Sequence, residues 1–263
     1  MSGPVHLELC ATSGIARITF DRPEALNAAD VALARGLLEA VRRLQGAAGL
    51  RCVVLTGAGR AFMAGGDVTS FAGRPEDARA GVNALLDALN PAVLGLRALD
   101  APILAGVRGV AAGAGLSLAL AADLILASRE ARFLLAYDRL GVTPDCGGTW
   151  FLPRRLGVGR ANELMLLSRS LDAAEAEAWG LVTETAAPED FDARLAGMAR
   201  QLAAGPTRAH AAFRRLTDSA FGASLAAHLE AERQAFLDLA GTGDFAEGTA
   251  AFLQKRPPAF RGC

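Results

Sequence analysis

The chain carries two glycine-rich turns, Ala64-Gly65-Gly66-Asp67 and Gly113-Ala114-Gly115, each placed after a short apolar run that reads as a β-strand. Arg51-Cys52-Val53-Val54-Leu55-Thr56 precedes the first, and Ile103-Leu104-Ala105-Gly106-Val107 the second. A glycine bend after a buried strand adopts backbone angles that a Cβ resists, and it lets another backbone approach closely. The second turn opens a helical stretch over residues 116–122; the first has room for a short one. Brought side by side, the two bends would aim two backbone N–H groups at one point. Such a pair stabilises negative charge developing on a carbonyl oxygen. The expectation is therefore chemistry next to a carbonyl.

The 263 residues, 52% of them apolar, can bury a large core and exclude a disordered chain. A net charge of −1 gives no case for nucleic acid or an anionic membrane as partner. Cys10, Cys52, Cys146 and Cys263 form no CxxC pair, which argues against a zinc site or a disulfide framework. The first residues lack the charged and apolar regions of a signal peptide. The longest apolar run, between Arg108 and Asp123, is too short to cross a bilayer. A cytoplasmic protein with reduced thiols and no metal is expected.

Alternation over residues 7–9 and 15–20 predicts a β-hairpin. Asp30 caps a helix over residues 31–45, with Leu33, Leu37, Leu38, Val41 and Leu44 on one face. Residues 76–98 are helical in pattern, but Pro91 is expected to break or kink them. Strands follow at 123–127 and 132–135. From Gly148 onward helices dominate, at 161–167, 173–179, 190–204, 207–219, 223–239 and 245–254, with one strand at 181–184. The first two-thirds read as repeated strand–strand–helix units. Residues 1–200 form a core and 201–263 a helical region of the same structural unit.

Several motifs have bland readings. Gly57-Ala58-Gly59 lacks the third glycine of a dinucleotide fingerprint, because position 62 is Phe62, so a tight turn is the better reading. Gly115-Leu116-Ser117-Leu118-Ala119 is a partial serine elbow with His210 and His228 downstream, but both histidines sit in amphipathic helices. Gly109 and Gly113 read as close backbone packing. Asp145, in Pro144-Asp145-Cys146-Gly147-Gly148, reads locally as a helix cap more readily than as a base. The two following glycines would still let a ligand approach it.

Taken together, several segments resemble one family. Phe62-Met63-Ala64-Gly65-Gly66-Asp67-Val68 resembles the F-x-A-G-x-D motif of the crotonase (enoyl-CoA hydratase/isomerase) superfamily, and Gly109 through Asp123 resembles its second signature. Asp21-Arg22-Pro23 with Ala25-Leu26-Asn27-Ala28 matches its opening loop. Phe252 with Lys255-Arg256-Pro257-Pro258-Ala259-Phe260 matches its C-terminus. The resemblance spans essentially the whole chain. It implies an α/β fold, a spiral of ββα repeats with a C-terminal helical trimerisation region. It implies acyl-CoA thioesters as substrates, a homotrimer or dimer of trimers, and no cofactor beyond the coenzyme A of the substrate. It implies an oxyanion hole from the Gly66 and Ala114 amides. Ala25, Leu26, Ala64, Asp67, Val68, Gly113 and Tyr137 would line the substrate path, and Lys255 would reach a phosphate.

The departures set the reaction. By the same resemblance, hydratases carry two glutamates that handle water, and this chain has Ser117 and Tyr137 at those positions. Asp145 stands where family isomerases place their acid. Residues 134–156 resemble the branch that isomerises ring-1,2-epoxyphenylacetyl-CoA and related unsaturated acyl-CoAs. The expectation is an isomerase with Asp145 as acid and base. A hydratase, a dehalogenase-like enzyme and a non-catalytic acyl-CoA binder are the alternatives.

Overall fold

The computed structural model describes residues 3–263. The hairpin forms from β1 (Val5–Cys10) and β2 (Ile15–Phe20), paired antiparallel from Val5↔Phe20 to Cys10↔Ile15. Helix α1 (Val31–Gln45) follows, its first turn closed by the Asp30 carboxylate accepting from Leu33 N–H at 2.8 Å. Then come β3 (Cys52–Gly57), α2 (Pro75–Ala98), β4 (Ile103–Val107), β5 (Val110–Ala112) and α3 (Ala114–Leu120). β6 (Leu124–Ser128), β7 (Arg132–Leu134), α4 (Gly148–Leu156), α5 (Val158–Leu166), β8 (Ser170–Asp172), α6 (Ala173–Trp179) and β9 (Glu184–Ala186) complete the layered part. The chain ends in α7 (Phe191–Ala203), α8 (Thr207–Ala220), α9 (Leu225–Ala240) and α10 (Gly243–Gln254).

A large sheet has the order β1-β2-β3-β4-β6-β9, parallel from β2 onward, and a small one has β5-β7-β8. The chain alternates between them. β4 and β6 enter the large sheet, while β5 and β7, which follow each of them, pair in parallel in the small one. After β3 the same step is taken by Met63, which makes a single parallel bridge to Ala111. This alternation is the spiral of ββα repeats.

Strand periodicity sorts the core. Val53, Leu55, Ile103, Ala105 and Ile125 pack with α1, α2 and α3 in the main cluster. Their neighbours Cys52, Val54, Leu104 and Leu126 face Phe191, Leu195 and Met198 of α7 on the other side. Arg51 and Arg214 tie the helical region to the sheets. Arg51 Nε donates to Ala203 O (2.9 Å), and Arg214 Nη1 donates to Leu99 O and Ala101 O while its Nε meets Asp123 (2.9 Å).

Three sequence expectations are corrected. Pro91 does not break α2, which runs unbroken from Pro75 to Ala98. Leu89, Ala92, Val93 and Leu96 are buried on one face, while Pro91 and Asp87, whose carbonyl loses its partner, are exposed to water. The strand expected at 181–184 begins at Glu184, because the N–H groups of Leu181 and Val182 are spent on Ala176 O at the end of α6. Helix α4 falls in a stretch to which the sequence pattern assigned no element. Finally, β5, not β4, delivers the second glycine turn, and α3 begins at Ala114 rather than Leu116.

Candidate active site

The two turns meet. A Cβ built on Gly113 would stand 3.5 Å from Gly65 Cα, and one built on Gly65 would stand 3.3 Å from Ala112 O. Met63 O accepts from Ala112 N–H at 2.9 Å, so backbone pairing holds the two segments in register up to the turns. Gly65 has φ +107° and Gly113 φ +51°, angles in the left-handed region that favours glycine.

The backbone pairing orients the amides. Gly65 O accepts from Ala29 N–H (2.7 Å) and Asp67 N–H donates to Ala29 O (2.9 Å). Along an extended segment successive groups alternate sides, so the Gly66 N–H turns away from Ala29. Ala114 is the first residue of α3, and its N–H is one that a helix leaves unpaired. Neither N–H has an acceptor among the described residues.

The opening loop supports the first turn. Asn27 is fully buried with φ +59°; its Nδ2 donates to Ala58 O (2.9 Å) and Ala61 O (2.8 Å), and its Oδ1 accepts from Arg22 N–H (2.8 Å). Leu26, also at positive φ, accepts from Ala64 N–H (3.0 Å). Leu26, Ala64 and Ala25 are half-buried beside the turn, and Val68 is exposed. The Asp67 carboxylate is occupied locally. It accepts from the Thr69 hydroxyl (2.6 Å) and pairs with Arg22 (3.2 Å), and these contacts hold it below the usual carboxylate range, the Thr69 hydroxyl foremost.

Ser117, Tyr137 and Asp145 form one cluster. The Tyr137 hydroxyl donates to Asp145 Oδ1 at 2.5 Å and lies 3.4 Å from Ser117 Oγ. Tyr137 has one hydroxyl proton, so Ser117 donates to Tyr137. The Tyr137 ring lies against the second turn: a Cβ on Gly113 would stand 3.9 Å from its Cζ. Burial pushes the phenol far above its ordinary range, and the Asp145 charge adds to this. Asp145 is half-buried, and its Oδ2 accepts no hydrogen bond among the described residues. It is not a helix cap. Gly147 occupies that position of α4, and Asp145 supplies only its backbone carbonyl, to Gly148 N–H (2.8 Å). Ala136 and Cys146, next to Tyr137 and Asp145, both hold φ near +50 to +60°. Non-glycine residues in this region are strained and cluster at functional sites.

The geometry therefore assembles Gly66, Gly113, Ala114, Ser117, Tyr137 and Asp145. Lys255 stays apart, exposed at the C-terminal end of α10, whose packing partner is α9. The hydrolase triad does not form. Ser117 bonds to Tyr137, while His210 packs against Gly205 and His228 lies near Glu232. Sequence reasoning missed the Tyr137–Asp145 bond and the Asn27 pin. An asparagine in a loop between hairpin and helix is the signal for the pin.

A spiral of ββα units with two unpaired main-chain amides, Gly66 and Ala114, at facing turns and a carboxylate nearby defines a class of enzyme that can hold charge on a carbonyl oxygen. The family model for enoyl-CoA hydratase/isomerase matches residues 11–263, and the chain belongs to that family. It is 40% identical over 254 residues to a probable enoyl-CoA hydratase of Rhodobacter capsulatus, covering 95% of this chain and 96% of that one. It is 38% identical over 251 residues to the 1,2-epoxyphenylacetyl-CoA isomerase of Escherichia coli, covering 95% of each. A solved enoyl-CoA hydratase from Bacillus anthracis superposes with a TM-score of 0.90 at 29% identity, over 99% of this chain and 100% of that one.

Proposed function

We propose that the chain is an acyl-CoA isomerase that shifts a double bond, or rearranges a ring epoxide, in an unsaturated acyl-CoA. The thioester oxygen would sit on the Gly66 and Ala114 N–H groups. Asp145 would take a proton from the carbon alpha to the thioester, or from the conjugated γ carbon, leaving an enolate on the two amides. The same carboxyl group would return the proton elsewhere on the allylic system. The step moves a proton and no electron, so it calls for no redox cofactor.

One observation carries the reading: the Asp145 carboxylate is tied to the second turn through Tyr137, whose hydroxyl donates to it at 2.5 Å and whose ring lies against Gly113. Hydration by the two-glutamate route needs two acids that handle water. Their positions are held by Ser117 and Tyr137, and the phenol is locked in its neutral form. The E. coli relative's name supports isomerisation. The R. capsulatus relative's name supports hydration, which remains the second reading.

The test is label uptake. Wild type and Asp145→Asn are incubated in deuterated water with 2-enoyl, 3-enoyl and aryl-acetyl CoA esters, and the products are read by mass spectrometry. The variant is expected to lose about a hundred- to ten-thousandfold in exchange rate, with CoA-ester affinity unchanged. Full activity in Asp145→Asn overturns the proposal. Loss of the conjugated crotonyl-CoA absorbance with a 3-hydroxyacyl product assigns hydration instead. Binding with neither label uptake nor an isomerised product means a silent acyl-CoA binder.

A further inference from the structure

We propose that Tyr137 is a positioning residue that fixes Asp145 by one carboxylate oxygen and leaves the other, Oδ2, as the single atom that carries the proton. The inference rests on the reading of Asp145 as the shuttle and deepens it. Tyr137 touches three parts of the site at once. Its ring lies against Gly113, the residue immediately before the Ala114 amide. Its hydroxyl accepts from Ser117 on α3 and donates to Asp145 Oδ1. One rigid side chain therefore spans from the oxyanion turn to the acid and sets the distance between them.

The chemistry needs such a strut. A proton taken from one carbon and returned to another on the same allylic system must stay on one atom between the two events. A carboxyl group free to rotate would present either oxygen and trade its proton with water. Accepting from Tyr137 occupies one lone pair of Oδ1 and makes it the less basic oxygen, so the proton goes to Oδ2, and Tyr137 cannot donate to water while it donates to Asp145. The phenol keeps its proton throughout, because burial, the larger cause, holds it above its ordinary range whichever form Asp145 takes, and the carboxylate charge adds to this when present. A charge-assisted O–H···O⁻ bond of 2.5 Å is at the short, strong end of its class. The proton balance is simple: Asp145 goes from carboxylate to carboxylic acid and back, and Tyr137 and Ser117 gain and lose nothing.

The experiment compares Tyr137→Phe with wild type on 3-decenoyl-CoA in deuterated water. Phenylalanine keeps the ring against Gly113 and removes only the hydroxyl. The expected result is a fall in kcat of about ten- to a hundredfold with KM within about twofold and the thermal midpoint nearly unchanged. The fraction of product carrying solvent deuterium should rise, because the released carboxyl group exchanges its proton between the two transfers. Ser117→Ala, one bond further out, should show the same changes at a few-fold level. Unchanged kcat and label fraction in Tyr137→Phe overturn the inference, as does a parallel loss of KM and thermal midpoint, which marks a structural filler. If Asp145→Asn is inactive while Tyr137→Phe behaves as wild type, only this inference falls. If Asp145→Asn is active, or wild type neither isomerises the substrate nor exchanges label, the shuttle reading falls and takes the inference with it.

Discussion

Gly65 and Gly113 are in backbone contact: a Cβ placed on the second would stand 3.5 Å from the Cα of the first. The residues that follow each of them carry the two free amides. Register on both sides of this contact comes from the Met63↔Ala111 bridge and the Ala112 N–H bond to Met63 O. The distance between the two donors is therefore set by main chain, which has no rotamers to lose when charge develops.

One tight point of that contact is Gly115. A Cβ there would meet Met63 O at 2.3 Å and Met63 Cβ at 2.7 Å, so Gly115→Ala must push backbone apart. The expected cost is about 1–3 kcal/mol of stability, read as a drop of several degrees in the thermal midpoint. Moving α3 away from Met63 also misplaces the Ala114 amide. Loss of an oxyanion donor lowers turnover about a hundred- to thousandfold. Circular-dichroism melts and label uptake on the same sample measure both. A variant with wild-type turnover would show that the Ala114 amide is not part of the site.

Asn27 is the second tight point. Asn27→Ala removes the donor that satisfies Ala58 O and Ala61 O and leaves alanine at φ +59°. Buried carbonyls without partners cost about 1–3 kcal/mol, and a strained φ about another 1 kcal/mol. The loop that carries Leu26 underlies Ala64, so KM for CoA esters should rise along with the loss of stability. Thermal melts and steady-state kinetics check this. A rise in KM without any loss of stability would mean Asn27 contacts substrate instead.

The cysteines report on the same segments. Cys10 is exposed at the hairpin end, where the hydroxyls of Ser13 and Thr12 lower its thiol to about 6. Burial pushes Cys52 up to about 12, and burial with the Asp145 charge pushes Cys146 up as well. At pH 7, brief iodoacetamide treatment should label Cys10, with Cys52 and Cys146 protected until the chain is unfolded. Peptide mass mapping reads the sites. Native labelling of Cys146 would mean the Asp145 segment opens readily, contrary to the packing described.

Much of this was legible in the chain itself, for physical reasons that differ by element. Asp30 and the apolar face of α1 announce a helix because cap and periodicity agree, and α1 spans Val31–Gln45 as expected. The glycine turns were legible because few residues tolerate their backbone angles. Pro91 misled because proline penalises a helix locally, while burial of Leu89, Val93 and Leu96 is a tertiary term. The short strands β5 and β8 escaped because each runs almost directly into a helix, α3 and α6, with no turn of its own to mark a boundary. Candidate site residues were readable one at a time. The bond from Tyr137 to Asp145 was not, because two left-handed residues, Ala136 and Cys146, bend the chain around it.

The C-terminal helices supply the last prediction. α9 buries none of its own residues, and Leu225, Leu229, Phe236 and Leu237 are all more than half exposed. On α10, Phe252 and Leu253 are 83% and 81% exposed. Between the two helices runs a groove of about 560 Å³ lined by Phe236, Phe245, Phe252, Leu253 and Phe260. Apolar surface on this scale is costly to leave in water and marks an interaction face, and closed symmetry is the usual way for a chain to cover it with copies of itself. The wild type is expected at three or six times the 27.2 kDa chain mass by light scattering. Phe252→Glu combined with Leu253→Glu should dissociate it, because four-fifths-exposed side chains contribute little to the fold of one chain but would bury charge at a shared face. Lys255 lies at the end of the same helix, so dissociation should also weaken CoA-ester binding if Lys255 reaches a neighbour's phosphate. A monomeric wild type, or an assembled double variant, would remove α10 from the interface.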